Sequence, residues 1–230
     1  MNYYSEELVY TEEMENTAHR PMPEKSVYAI VKRGGDILFS LAALILLSPI
    51  LLVIALLIKI EDRGPAFYVS ERVGRHGQII RVYKFRSMKP NADHLDDMLS
   101  PEELAEYRKE FKLEHDPRIT RIGNILRKSS LDELPQLINT LRGDMSLVGP
   151  RPLMQEEVES KYSPVQRRQL LSIRPGLTGL WQVSGRSDCT YESGERQKLE
   201  LSYVKGLSCK LDLEIVFRTV GIVFRKAGAR

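Results

Sequence analysis

Two acidic residues, Asp132 and Glu133, stand side by side in the stretch "SSLDELPQL", where an apolar pattern begins. Ser130 and Glu133 have the spacing of a capping box, and the apolar residues that follow recur at helical intervals up to Gly143. The pattern predicts that both carboxylates lie in the first turn of an amphipathic helix. Because acids there complement the helix dipole, capping alone accounts for the local pattern.

Positively charged residues surround this acidic pair in the sequence. Arg127 precedes Asp132 by five positions, and Arg151 follows in "VGPRP". Backbone N–H groups at a helix start add capacity to bind anions. Such groups can hold a phosphate with a divalent cation, and a carboxylate beside them can be a metal ligand or a nucleophile. Since adjacent helical residues point about 100° apart, we expect different roles for the two acids.

A long apolar segment precedes the acidic pair. Residues 37–58, "ILFSLAALILLSPILLVIALLI", carry no charge, and as a helix they would extend about 33 Å, close to the thickness of a bilayer core. Ser48 and Pro49 lie at the midpoint, where proline predicts a kink. Basic residues flank both ends, namely Lys32, Arg33, Lys59 and Arg63. Because a spanning helix should have basic residues mainly on one side, this symmetry favours a re-entrant helix; a spanning helix is the alternative.

Three other regions have recognisable patterns. Residues 1–31 are polar and rich in glutamate, which predicts a largely disordered leader. "AFYV" and "QIIRVYKF", separated by "GRHG", predict a β-hairpin in which Lys84 and Arg86 share one strand face. From Leu213 onwards, apolar residues recur at helical spacing among arginines. This C-terminal helix would either pack in the core or rest on an anionic membrane surface.

Composition argues against several classes of protein. The formal net charge is only +3, and the cations lie near acids and an apolar segment instead of forming a basic stripe with aromatics. No nucleic-acid partner is therefore expected. Cys189 and Cys209 form no CxxC pair, which argues against a disulfide framework or a zinc site and favours a reducing cytosol.

The longer string around the acidic pair is much more specific than the pair itself. Residues 116–152, "DPRITRIGNILRKSSLDELPQLINTLRGDMSLVGPRP", resemble the central signature of the bacterial sugar transferases, also called monotopic phosphoglycosyl transferases. The resemblance continues in "GPAFYVSERVG" and "YKFRSM" before this string, and in "RPGLTGLWQVSGRS" and "LDLEIVFRTV" after it. It covers about residues 32–230, nearly everything but the acidic leader.

The resemblance implies an enzyme that transfers a sugar-1-phosphate from a UDP-sugar to undecaprenyl phosphate or a similar polyprenyl phosphate and releases UMP. This is the first membrane step in assembling exopolysaccharide, capsule, O-antigen or related glycans. By matching positions, Asp132 would be the nucleophile that forms a covalent phosphosugar intermediate. Glu133 would join it at a Mg²⁺ site, and Arg127 would contact phosphate. Ser48 and Pro49 would break a re-entrant helix, so that the protein is monotopic on the cytosolic face of the bacterial inner membrane.

The expected fold is α+β and helix-dominated. We expect a leader at 1–31, a membrane-embedded helix at 32–63 and a cytosolic catalytic domain at 64–230, which carries the small β-hairpin and an amphipathic C-terminal helix. Further side chains are expected to contact phosphate, nucleotide or sugar, although surface salt bridges would also explain some of the cations: Lys84, Arg86, Arg151, Gln182 and Arg186. A homodimer and contacts with downstream glycosyltransferases are compatible with this fold.

The chain departs from the family pattern at two places. Ser70 stands where many members have glutamine, and Leu207 and Lys210 replace two tryptophans of larger relatives, which predicts weaker aromatic anchoring at the membrane. A catalytically idle, membrane-tethered assembly factor is the rival hypothesis, and the intact acidic pair argues against it. Hexose donors such as UDP-glucose or UDP-galactose are expected first, with N-acetylated sugars as the alternative.

Overall fold

The computed structural model describes residues 26–111, 113, 115–184 and 189–228, with only the backbone described at 223–228. The described chain is helix-dominated with two small sheets, in agreement with the predicted class. Residues 1–25, most of the predicted leader, lie outside the described residues.

The first helix, α1, is the longest element and spans Val27–Asp62. It begins before the boundary predicted at residue 32 because Ser26 provides a cap, accepting a hydrogen bond from the N–H of Ala29 over 3.2 Å. It ends where Arg63 adopts a left-handed conformation with φ of 57°. By length and composition alone, α1 is a helix that could cross a membrane.

The two ends of α1 pack on the rest of the protein, whereas its middle does not. Asp36 and Ser40 are buried near the start, and Ile54 and Ile58 are buried near the end. None of the side chains of residues 41–53 is buried. A stretch this apolar and this uncovered indicates membrane association.

Pro49 lies inside α1, and the helix runs through it. Because proline has no N–H, the carbonyl of Ile45, four residues earlier, loses its helical partner. The hydroxyl of Ser48 donates to this carbonyl over 2.8 Å. The Ser48–Pro49 pair therefore removes one backbone hydrogen bond from the apolar segment and replaces it with a side-chain bond.

The predicted β-hairpin is confirmed. Strand β1, Phe67–Val73, pairs antiparallel with β2, Ile79–Phe85, around a 3-10 turn at Arg75–Gly77. The turn needs left-handed backbone at Gly77, where φ is 80°. The hairpin carries Lys84 on its second strand, close to the end of the sheet.

Short helices make up most of the remaining chain. The elements that follow the hairpin are α2 (Leu95–Met98), α3 (Pro101–Glu110), α4 (Arg121–Ser129), α5 (Gln136–Arg142), α6 (Gln155–Lys161), α7 (Pro164–Leu170), α8 (Leu180–Ser184), α9 (Glu195–Lys205) and α10 (Cys209–Gly228). Two three-residue strands, β3 (Ser146–Val148) and β4 (Gly176–Thr178), pair in parallel. This second sheet was not predicted, since three residues are too few to show alternation.

Helix α10 has two different faces. Ile215 is buried in a cluster with Val148 and Tyr203. Leu213 and Phe217, one turn apart, lie on an exposed face, and the Phe217 side chain is 72% exposed. Of the two alternatives for this helix, packing in the core does not account for this apolar face.

Candidate active site

The acidic pair lies in a 3-10 turn, Leu131–Glu133, between α4 and α5. The prediction of a first helical turn with a capping box was wrong, because Ser130 adopts the left-handed conformation that ends α4 and its side chain makes no capping bond. The Ser130 carbonyl accepts the N–H of Glu133 instead, over 3.3 Å. A regular helix resumes only at Gln136.

The two acids have different surroundings. Asp132 is 8% exposed, whereas the Glu133 side chain is less deeply buried. Burial, reinforced by the neighbouring charge of Glu133, raises the pKa of Asp132 to about 6, and Lys84 and Arg127 oppose this rise. Asp132 is therefore a buried carboxyl that still ionises at neutral pH.

Lys84 and Arg151 both reach Glu133. The Nζ of Lys84, on β2, lies 3.2 Å from Oε1 of Glu133. Nη1 of Arg151, which follows β3, lies 3.9 Å from the same oxygen. Three separate elements thus place two predicted cations and one predicted acid in contact. Burial lowers the pKa of the Lys84 ammonium, and the Glu133 charge counteracts that effect.

Arg127 is held by a residue that sequence analysis missed. Its Nε donates to Oγ of Ser87 over 2.9 Å, and its charge helps to lower the pKa of Asp132. Ser87 lies two residues after the end of β2 and three residues after Lys84, and this position was the only signal in the sequence. Gly123, one helical turn before Arg127, allows the close approach: a Cβ there would lie 1.9 Å from the Ser87 carbonyl oxygen.

Arg86 contacts the end of α1. It forms an ion pair with Asp62, and its side chain is 7% exposed. Within the described part of the chain, its buried Nε and Nη1 have no hydrogen-bond partner. The ion pair ties the last turn of α1 to the segment that follows β2. A phosphate contact by Arg86 stays a prediction.

Arg151 is positioned by a buried carboxyl that no sequence pattern indicated. The N–H of Arg151 lies 3.3 Å from both carboxyl oxygens of Glu200, which is 1% exposed. Burial raises the pKa of Glu200 to about 7, and Arg196 is the strongest opposing influence. The Arg196 guanidinium lies between two aromatic rings, 4.3 Å from the centroid of Trp181 and 4.0 Å from that of Tyr191.

Taken together, these elements bring a buried carboxylate, a second carboxylate and three cations to one place, beside a membrane-type helix. Residues 27–226 match the family described as bacterial sugar transferase. The chain belongs to this family.

Three similar proteins have names that refer to an activity or a product. The undecaprenyl-phosphate galactose phosphotransferase of Salmonella typhimurium is 47% identical over 203 residues, 86% of this chain and 41% of that protein. The exopolysaccharide production protein ExoY of Sinorhizobium fredii is 43% identical over 208 residues, 89% of this chain and 90% of that protein. The UDP-galactose-lipid carrier transferase of Erwinia amylovora is 45% identical over 202 residues, 86% of this chain and 41% of that protein. This sugar transferase thus matches ExoY over nearly its full length and the other two over about two fifths of theirs.

Two further side chains were predicted to contact the substrate of this sugar transferase, namely Gln182 and Arg186. Gln182 is buried in α8, and its Oε1 has no hydrogen-bond partner among the described residues. Arg186 lies outside the described residues. Ser70, the departure from the family pattern, has a buried hydroxyl in β1 that lacks a partner in the described chain. Trp181, next to Gln182, packs against the Arg196 guanidinium.

The donor atoms at the acidic pair suit a magnesium ion that is shared with a substrate. Among the described residues, no three His, Cys, Asp or Glu side chains gather into a metal site. Mg²⁺, however, is commonly held by one or two carboxylates together with substrate phosphates. In this sugar transferase, Asp132 and Glu133 are the two carboxylates that could hold such an ion.

Proposed function

We propose that this sugar transferase moves a sugar-1-phosphate from a UDP-sugar to undecaprenyl phosphate, with Asp132 as the nucleophile. The observation that carries the proposal is the position of Asp132, a buried carboxyl beside Glu133. Burial raises the pKa of Asp132 to about 6, and the charges of Lys84 and Arg127 oppose that rise. The names of two relatives, which refer to undecaprenyl phosphate and to a lipid carrier, support the acceptor class.

In the first step, a carboxylate oxygen of Asp132 attacks the phosphorus that bears the sugar. The bond between this phosphorus and the oxygen bridging the two phosphates breaks, and UMP leaves with the bridging oxygen. An acyl phosphate links the sugar phosphate to Asp132. Since the attack brings one negative group towards another, the charges of Arg127, Lys84 and Arg151 are needed to lower its barrier.

In the second step, an oxygen of undecaprenyl phosphate attacks the same phosphorus. The acyl-phosphate bond breaks, the Asp132 carboxylate is regenerated, and a diphosphate joins the sugar to the lipid. Because UMP leaves before the lipid phosphate reacts, one site serves a soluble and a membrane-bound substrate in turn.

Asp132 and Glu133 would hold Mg²⁺, which neutralises phosphate charge when it is bound. Glu133 would have a second task as the partner of Lys84. By pairing with Lys84, Glu133 keeps the Lys84 ammonium next to Asp132. Because Lys84 pairs with Glu133, it does not form a direct ion pair with Asp132 that would draw electron density from the nucleophile.

The proposal places α1 in the membrane as a re-entrant helix. Near its start, Arg33 donates to the carbonyls of Thr140 and Leu141 at the end of α5, over 2.6 and 2.7 Å. Near its end, Glu61 accepts the N–H of Ile122, at the start of α4, over 3.1 Å. In a straight helix, residues 33 and 61 would be about 42 Å apart. Anchoring of both ends to neighbouring short helices supports a bend at Ser48–Pro49, with both flanks on the cytosolic face of the bacterial inner membrane.

The apolar face of α10 supports the same placement. Leu213, Phe217 and Val220 are exposed at helical spacing, and Lys32 joins the start of α10 to α1 through an ion pair of 2.8 Å with Asp212. The ion pair joins the start of α10 to the membrane helix, and an exposed apolar face is expected for a helix that rests on the bilayer surface.

The decisive experiment supplies the purified, full-length protein with Mg²⁺, undecaprenyl phosphate and one UDP-sugar at a time, and measures UMP. We expect release with a hexose donor such as UDP-galactose or UDP-glucose, and none with Asp132→Asn. Without the lipid, intact-protein mass spectrometry should detect one hexose phosphate on the wild type and none on Asp132→Asn. Turnover by this variant at the wild-type rate would contradict the nucleophile; absence of UMP with every donor would favour the idle assembly factor.

A further inference from the structure

Arg72 is a further cation on the face of the hairpin that carries Lys84. In the register of the two strands, Arg72 is paired with Ile80, and Tyr68 is paired with Lys84. Because cross-strand partners and residues two apart share a face, Arg72 and Lys84 lie on the same face of this sheet. Both long side chains therefore extend from one side of the hairpin.

The end of β1 runs beside the segment that carries Arg151. The N–H of Val73 donates to the carbonyl of Leu153 over 2.9 Å, and these two residues form an isolated antiparallel bridge. Leu153 comes two positions after Arg151, whose guanidinium reaches Glu133. Arg72, directly before Val73, is thereby placed next to the segment that brings a cation to the acidic pair.

The charges of Arg72, Arg151 and Lys84 act on one another. Burial lowers the pKa of the Arg72 guanidinium; Glu157 counteracts this effect, and the charge of Arg151 reinforces it. Burial also lowers the pKa of the Lys84 ammonium, and both Arg151 and Arg72 add to that effect. Three cations that repel one another in this way are stabilised when an anion binds between them.

The guanidinium of Arg72 is suited to binding such an anion. Within the part of the chain that the structure describes, its interactions with charged groups are electrostatic, without a hydrogen bond or an ion pair. The carboxylate with the largest effect on it, Glu157, accepts from the Tyr191 hydroxyl over 3.0 Å and pairs with Arg196 over 3.4 Å. A half-buried arginine of this kind matches a phosphate, because its fork of donors binds two phosphate oxygens at once.

The position of Arg72 along the sheet indicates which phosphate it holds. Lys84 contacts Glu133 at one end of the shared face, and the pairing partner of Arg72 lies four residues further along β2, about 13 Å away at the backbone. In an in-line displacement, the leaving group departs on the side opposite the attacking oxygen. The phosphate of UMP therefore departs on the side away from Asp132, for which a more distant cation is suited.

The second step of the transfer brings another phosphate to the same position. The lipid phosphate displaces the Asp132 oxygen from phosphorus, so it also attacks from the side opposite Asp132. UMP has left this side by then. One position can therefore serve the phosphate of UMP first and the phosphate of the lipid afterwards.

We propose that Arg72, together with Arg151, binds the phosphate of UMP as it leaves and then the phosphate of undecaprenyl phosphate. The inference rests on the proposed function and adds to it a residue and a binding position for the phosphate that is not attacked. Both ligands are phosphate monoesters, with close to two negative charges and three acceptor oxygens. Two guanidinium groups provide the charge and the donors for such a group.

The test measures the affinity of the purified, full-length protein in detergent for UMP and for uridine by isothermal titration calorimetry. Mg²⁺ is kept at one concentration, and neither UDP-sugar nor lipid is present, so that no transfer takes place. Arg72→Gln removes one cation, and Arg72→Lys keeps the charge but loses the fork of donors. Arg81→Gln is the charge-matched control, since Arg81 is exposed on the opposite face of the same hairpin.

We expect the wild type to bind UMP more tightly than uridine. Arg72→Gln should weaken UMP binding roughly tenfold and Arg72→Lys about threefold, with the affinity for uridine unchanged in both, whereas Arg81→Gln should change either affinity less than about twofold. Because a damaged fold would weaken both ligands, the uridine titration separates loss of a phosphate contact from loss of structure. Undecaprenyl phosphate added to the wild type should displace UMP.

Equal affinities of the wild type for UMP and uridine, or unchanged UMP affinity in Arg72→Gln, would overturn the role of Arg72. Failure of undecaprenyl phosphate to displace UMP would overturn the shared position. Thermal unfolding identifies a variant that fails to fold, and Arg72→Lys then decides by the same criterion. Transfer by the wild type with UMP binding that does not depend on Arg72 would count against this inference only. Absence of UMP release from every UDP-sugar, with UMP binding that depends on Arg72, would count against the proposed function only.

Discussion

Nζ of Lys84 lies 3.2 Å from Oε1 of Glu133, so the hairpin supplies its cation to the neighbour of Asp132. Lys84 still acts on Asp132 through its charge, which lowers the pKa of that carboxyl. The two adjacent acids therefore have different roles. Glu133 binds the Lys84 ammonium, and Asp132 is buried with a pKa of about 6. A carboxylate in this state is ionised at neutral pH and retains more basicity than an exposed aspartate.

Lys84→Met should reduce transfer and move its pH dependence to higher pH. The variant keeps the length of the side chain and loses the charge that lowers the pKa of Asp132, so ionisation of the nucleophile requires a higher pH. We expect UMP release at pH 7 to fall about 10- to 100-fold, with a smaller deficit at pH 9. The measurement is the rate of UMP release from pH 5 to 9.

Lys89→Met is the matched control for Lys84→Met. Lys89 is exposed and lies four residues after the end of β2. The Lys89→Met variant should leave both the rate of UMP release and its pH dependence unchanged. A fall in rate for Lys84→Met with no shift in the pH profile would show that Lys84 acts only by binding substrate.

Asp132→Asn should stabilise the protein while it abolishes transfer. The folded-state pKa of about 6 lies above the ordinary value of 3.8. The wild type therefore loses stability as the pH rises from about 4 to 6, because the unfolded chain releases its proton first, and the loss is complete above this range. Asparagine removes this loss, which amounts to at most about 3 kcal/mol.

Thermal unfolding in EDTA at pH 4 and pH 8 measures this effect. We expect the midpoint of Asp132→Asn to exceed that of the wild type at pH 8 and to approach it at pH 4. Asp144→Asn is the control, since that carboxyl is less buried and lies after α5. A variant destabilised at pH 8 would contradict the raised pKa.

The parts of the fold that the sequence predicted are those with long, regular patterns. The uncharged run of α1 and the alternation of β2 extend over enough residues to identify a helix and a strand. The prediction of a capping box was wrong because Ser130, which fits the pattern of an N-cap, ends α4 with a left-handed backbone. The local sequence does not distinguish a serine that begins a helix from one that ends it.

Contacts between distant segments were the part of the site that no pattern indicated. The hydrogen-bonded residues Ser87 and Arg127 are 40 positions apart in the sequence, and Glu200 is 49 positions from Arg151, whose backbone N–H it accepts. Both partners are ordinary polar residues in their own segments. Their importance arises only when the hairpin, α4 and α9 pack together, which spacing along one element cannot reveal.

Glu200→Ala should weaken transfer through Arg151. It removes the acceptor of a buried backbone N–H, which costs about 1–3 kcal/mol of folding stability, and it frees the loop that brings Arg151 to Glu133. Glu200→Gln keeps one acceptor oxygen and is the matched control. We expect a several-fold lower kcat/KM for the alanine variant and near-normal kcat/KM for glutamine. Equal loss in both would indicate that the charge of Glu200, and not its hydrogen bond, is what matters.

Ser48→Ala should destabilise α1 only while Pro49 is present. Proline removes the donor to the Ile45 carbonyl, and the Ser48 hydroxyl replaces it over 2.8 Å. With α1 placed in the membrane as proposed, no water can replace the hydroxyl, so the loss of this bond should cost about 1–3 kcal/mol. Pro49→Ala restores the backbone N–H and makes the hydroxyl redundant.

A double-mutant cycle isolates this relationship. Unfolding in nanodiscs is measured for the wild type, Ser48→Ala, Pro49→Ala and the double variant. Ser48→Ala should lower stability in the proline background and leave it nearly unchanged in the alanine background, whereas Ser48→Thr, which keeps the hydroxyl, should match the wild type. An equal effect in both backgrounds would mean that Ser48 acts on something other than the Ile45 carbonyl. Because the proline creates the need that the serine meets, the two residues form one structural unit, and replacing Pro49 alone should give a straighter helix whose two ends can no longer both reach α4 and α5.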